Sequence, residues 1–204
     1  MTTTTLAAGL DGMTSATLTS AGLALGVALL IVEHVTWWRG GGGAAAGGKG
    51  KGGPVQAGGK AKDPMALVPF WFGVSFGTLM VACPAGLLGY ASGFLRWGGN
   101  GVGGLAMGWM TGQDAATIAS ASAPALDGNG ALVVTVLVIV LFLLRKKFAK
   151  VVKGRFKKGV FTGVLITIGT GLFAIVGDLV VPGANSIGAW AMDAVVTGSL
   201  DALV

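Results

Sequence analysis

A chain of 204 residues with 53% hydrophobic and only 11% charged residues lacks the polar surface a soluble fold of this size needs. Its net charge of +6 is local: all but Arg96 of the 14 Lys and Arg fall at residues 39–62 and 145–158. One cysteine, Cys83, excludes an internal disulfide, and one histidine, His34, excludes a multi-His metal site within the chain.

In chain order, residues 1–16 read as a Thr-rich tail without the basic n-region of a cleavable signal peptide. Residues 17–38 form a first apolar span of roughly 33 Å as a helix, closed by Trp37 and Trp38 as an aromatic belt would close it. Residues 39–64 are a Gly/Ala/Lys linker without hydrophobic period, carrying Lys49, Lys51, Lys60 and Lys62. Residues 65–95 are a second span, longer than a bilayer requires, with Pro84 as its expected kink. Residues 96–130 read as a Gly-rich loop holding Asp114 and Asp127, with a short helix expected at 113–121. Residues 131–144 are a short third span of Val, Leu, Ile and Phe, extended by a basic segment at 145–158. Residues 159–181 are a fourth span, ended by Pro182-Gly183, and residues 182–204 form an amphipathic C-terminal segment.

The expected fold is therefore an all-α integral membrane protein of four transmembrane helices arranged as two hairpins. Both basic connections lie on the cytoplasmic side of a bacterial plasma membrane, which places both termini outside the cytoplasm. The two hairpins share an orientation but show no residue-level similarity that would mark them as repeats.

The segment 145–158 carries Arg145, Lys146, Lys147, Lys150, Lys153, Arg155, Lys157 and Lys158, with Phe148, Val152 and Phe156 on a separate stripe. Such a basic amphipathic helix sets topology, anchors to anionic lipid at on the order of 1 kcal/mol per charge, or contacts a nucleic-acid backbone. The lysines of the first linker share this ambiguity. The linker carries no aromatic residue, so base stacking is not supported. Glu33, His34 and Asp178 are ionisable groups inside the spans, each near an end, where a structural role competes with a pore- or subunit-facing one. Gly22/Gly26, Gly73/Gly77 and Gly159/Gly163 have the four-residue spacing that lets helix backbones approach closely. The third span has none of this, and its expected neighbour is lipid.

Gly99-x-Gly101-x-x-Gly104 matches a dinucleotide fingerprint in form but has no βαβ unit around it. There is no Walker A sequence, zincin helix, Cys/His cluster or plausible nucleophile–base–acid set. An enzyme is not expected, nor is a cofactor. A coupled transporter is disfavoured because the polar groups sit near span ends.

The combination of four spans, no catalytic motif and Gly/Lys-rich and Arg/Lys-rich cytoplasmic connections resembles the plasmid-spread (Spd) membrane proteins of actinobacterial conjugative elements. The resemblance is architectural and covers residues 17–181. It implies a homo-oligomer, pore or scaffold working beside a DNA-translocating ATPase in plasmid DNA transfer. A phage holin-like lesion-forming protein and a structural membrane or virion protein are the alternatives.

Overall fold

A computed structural model of the chain describes residues 15–39, 64–83, 86–120, 122–144, 152–168 and 173–197. The described chain is mostly helical. Strand β1 (Thr17–Thr19) leads into α1 (Ser20–Arg39). A 3-10 turn (Pro64–Leu67) leads into α2 (Val68–Ala82), followed by α3 (Gly86–Thr111) and β2 (Thr117–Ser120). Then come α4 (Gly128–Leu144), a π-helical turn (Val152–Phe156), α5 (Lys157–Ile166) and α6 (Ala174–Thr197). Ser20–Arg39, Pro64–Ala82 and Ala174–Thr197 are long and apolar enough to cross a membrane; Gly128–Leu143 is apolar but shorter.

Several expected boundaries move. The span at 65–95 is two helices, parted at Cys83, whose backbone is extended at φ −75°, ψ 112°. Pro84 lies outside the described residues. Residues 96–111, read as loop from their glycines, are the second half of α3. Glycine disfavours a helix by about 1 kcal/mol per residue, but packing overrides propensity where a small residue is required. Gly99 abuts Leu165, and Gly103 lies against the Ala21 backbone. The dinucleotide-like glycines thus lie within a helix, not at a strand–helix turn.

The span at 159–181 also breaks early, at Thr167 (φ −75°, ψ 106°). Pro182 does not end the following helix: α6 runs through it to Thr197, so much of the expected C-terminal segment continues that helix. The amide that proline lacks would have met the carbonyl of Asp178, an exposed residue on the same helix.

Thr17–Thr19, assigned above to the first span, is instead a strand. It pairs antiparallel with Thr117–Ser120, where a short helix was expected, with Thr17 opposite Ser120, Leu18 opposite Ala119 and Thr19 opposite Thr117. Leu18 is fully buried beneath this ribbon.

The tertiary contacts reveal an internal duplication. Half-helices α2 and α5 run parallel and cross through Gly73/Gly77 and Gly159/Gly163. A Cβ on Gly73 would meet the Phe156 carbonyl oxygen, and one on Gly159 the Phe70 carbonyl oxygen. Likewise Gly77 faces the Val160 carbonyl and Gly163 the Val74 carbonyl. This reciprocity is the signature of a two-fold contact.

The relation extends to the flanking helices. Asn100 of α3 packs its side-chain oxygen on Gly22 of α1, as Asn185 of α6 does on Gly130 of α4. Asn100 Oδ1 accepts from Thr19 N (3.1 Å) and its Nδ2 donates to Thr17 O (3.0 Å). Asn185 Oδ1 accepts from Asp127 N (3.3 Å) and its Nδ2 donates to Ala125 O (3.3 Å). Thr19 and Asp127 cap their helices alike, accepting from Gly22 N (3.1 Å) and Gly130 N (2.7 Å).

These contacts register two sequence stretches that were read above as unrelated. Gly98-x-Asn100-x-Val102-Gly103-x-x-Ala106-Met107 matches Gly183-x-Asn185-x-Ile187-Gly188-x-x-Ala191-Met192. Gly73-Val74-x-x-Gly77-x-Leu79 matches Gly159-Val160-x-x-Gly163-x-Leu165. Each unit is an antiparallel pair of long helices (α1/α3, α4/α6) with a half-helix between them in sequence. The repeats differ too much in their first helices, and lie too far apart in the chain, for hydropathy alone to align them.

The core lies around the α2/α5 crossing. Phe70, Val74 and Ile166 pack on one side of it, and Phe76, Met80 and Phe156 on the other. Helix α4 buries Val134 but leaves Val136, Ile139, Phe142 and Leu143 exposed.

Candidate functional site

The described ends of the two basic segments lie at one end of the helical body. Helix α1 descends from β1 to Arg39, while α2 and α5 both start at that end and run the opposite way. The π-helical turn before α5 buries Phe156 against Phe72 and Phe76, at ring separations of 5.8 and 5.9 Å. That anchors the end of the basic segment on α2. From there Arg155 Nε reaches Glu33 Oε1 at 2.9 Å, and Lys158 Nζ reaches Glu33 Oε2 at 3.3 Å. Arg155 also donates through Nη1 to the carbonyl of Ala66. One arginine thus ties α1, the start of α2 and α5 together.

Glu33 is only 4% exposed, and a buried carboxylate is tolerable because both its oxygens are engaged by cations. The cluster keeps a net positive charge. Its outer member, Lys158, remains more than half exposed, and neighbouring Lys157 is exposed. His34, the next residue on α1, contacts the Leu30 carbonyl through Nδ1 (2.7 Å) and sits edge-on to Phe70 and Trp71. Glu33 and His34 are therefore held by protein partners. Asp178 is exposed on α6 and takes no part in these contacts.

Lys49, Lys51, Lys60, Lys62, Arg145, Lys146, Lys147 and Lys150 lie outside the described residues, and Lys153 is described only in its backbone, within the π-helical turn. The ends of both basic segments are nevertheless fixed: Arg39, Pro64–Leu67 and Val152–Phe156 all border this end. The six packing glycines divide between the crossings. Gly73, Gly77, Gly159 and Gly163 form the α2/α5 contact, Gly22 meets Asn100, and Gly26 meets Leu165 and Ile166.

Sequence reading missed three sets of residues. Asn100 and Asn185 lock the long-helix pairs, and their repeated Gly-x-Asn-x-(Val/Ile)-Gly context was the available signal. Thr78 and Thr167 pair through their hydroxyls at 3.1 Å, both fully buried, where the half-helices end. Thr167 Oγ1 donates to the Gly163 carbonyl at 2.6 Å, and the single proton of Thr78 Oγ1 goes either to Thr167 Oγ1 or to the Val74 carbonyl, both at 3.1 Å, so each hydroxyl has a partner within the protein. Arg96, noted only as the exception to the charge asymmetry, is buried.

Among the described residues, no three His, Cys, Asp or Glu side chains come together as metal ligands. The chain matches no protein-family model, no curated protein and no solved structure.

Proposed function

We propose that the protein is a non-enzymatic multi-pass membrane protein whose basic, cytoplasmic end engages a polyanion. In the reading that the architectural resemblance implies, that polyanion is plasmid DNA passing between cells, and the protein is an oligomeric pore or scaffold component beside a DNA-translocating ATPase. The observation that carries this is that the described ends of both basic segments lie at one end of the molecule. Arg155 binds α1 through Glu33 and the entry to α2 through Ala66, so charges far apart in sequence border one surface. Orienting a membrane protein needs fewer than the thirteen cations that these segments hold.

Glycine-backed contact closes the axis between α2 and α5 within one chain. In this reading any conduit lies between copies, and the exposed apolar faces of α3 and α4 are available for lipid or for a neighbouring copy.

The test is DNA retention by detergent-purified protein across a salt series, with particle mass measured on the same sample. Binding should weaken steeply, with a log–log slope of about −0.9 for each phosphate neutralised on duplex DNA. Replacing the eight basic residues of 145–158 should abolish retention at low salt. No retention by the wild-type protein at low salt would overturn the nucleic-acid role. Abrupt loss of membrane potential on induced expression would then shift the reading to a holin-like protein.

A further inference from the structure

Where the two units differ, one of them carries a group the fold itself does not require. The shared Asn and Gly positions put Arg96 of α3 where α6 has Val181. Val181 is fully buried in an apolar cluster with Leu79, Ala82, Val134 and Ala184. Arg96 is equally enclosed, at 3% exposure. Its Nη1 donates to the Ser15 carbonyl at 3.1 Å, while Nε and Nη2 are buried without any hydrogen-bond partner.

Those two nitrogens form one edge of the guanidinium. Their N–H groups point the same way, spaced to take both oxygens of a carboxylate or two oxygens of a phosphate side-on. A guanidinium stays charged at any physiological pH, and burying it without a counter-charge is strongly unfavourable. No described acid supplies that charge. The two described salt bridges both involve Glu33, at the opposite end of the molecule, and Asp114 and Asp127 form none.

We propose that Arg96 anchors an oxyanion site at the end of the molecule remote from the basic segments, taking two acceptor oxygens at Nε and Nη2. Inorganic phosphate has this chemistry and serves as the probe. Val181 shows that an apolar side chain fills the equivalent place without loss of the fold. Arg96→Val is therefore a tolerable test, and Arg96→Lys keeps the charge while removing the two-nitrogen edge.

Thermal unfolding of the detergent-purified full chain, in sodium phosphate against sodium chloride at equal ionic strength, is the test. Phosphate raises the wild-type midpoint by several degrees along the logarithmic dependence of a single site, and Arg96→Val and Arg96→Lys do not respond. If phosphate leaves the wild-type midpoint unmoved, or raises those of both variants equally, Arg96 holds no oxyanion and the proposal falls.

Discussion

Replacing Gly163 by alanine tests the crossing on which the duplicated fold is built. The added Cβ would fall against the Val74 carbonyl oxygen, 2.9 Å from Val74 Cα and 3.0 Å from its carbonyl carbon. All three are backbone atoms of α2, which cannot rotate aside as a side chain could. Carbon atoms pack best at about 3.5–4.0 Å, so the two helices must part by about 0.5–1 Å. A gap of that size forfeits about a quarter to a half of the dispersion attraction across the contact. Overpacking costs about 1–3 kcal/mol, and here about 2–3 because only backbone atoms can give way. Alanine's helix propensity returns up to about 1 kcal/mol, leaving a net loss of about 1–2 kcal/mol.

Gly101 supplies the control, because a Cβ there meets nothing within 4 Å. Gly101→Ala should be neutral or stabilising by up to about 1 kcal/mol. In thermal unfolding of the detergent-purified protein, Gly163→Ala should lower the midpoint by about 2–8 °C, and Gly101→Ala should leave it equal or higher. A Gly163→Ala midpoint at or above wild type would refute the close backbone approach of α2 and α5, and with it the two-fold contact.

Three further outcomes follow from the same geometry. Glu33→Gln should destabilise by about 1–3 kcal/mol, because Arg155 and Lys158 lose their partner but can turn to solvent. Replacing both cations by methionine should cost more, about 3–5 kcal/mol, since it strands a buried carboxylate; denaturant titration of the three proteins ranks them. Asn100→Ala and Asn185→Ala should each lose about 1–3 kcal/mol through the hydrogen bonds left unmade. Comparable losses are expected because the two side chains do the same work in the two units, and a neutral effect at either would break the equivalence.

Much of this was readable without coordinates. Composition and charge placement identify apolar helices, the basic connections between them and the glycine pairs that pack, because burial and charge are properties of residue types in order. The third apolar run at 131–144 became most of α4, which leaves Val136, Ile139, Phe142 and Leu143 exposed but, against expectation, packs closely on α6 through Gly130 and Val134. What hydropathy could not see is where an apolar run breaks. Cys83 and Thr167 end their half-helices inside stretches as apolar as any other, whereas the glycines of residues 98–104 and Pro182 sit within continuous helices. In both cases the neighbouring helix decides: a glycine disfavours an isolated helix but permits the contact that stabilises a packed one. The pairing of Glu33 with Arg155, the burial of Arg96 and the equivalence of Asn100 with Asn185 likewise depend on which helices lie side by side. That is a property of the tertiary contacts within and between the two units, and no local segment of the chain encodes it alone.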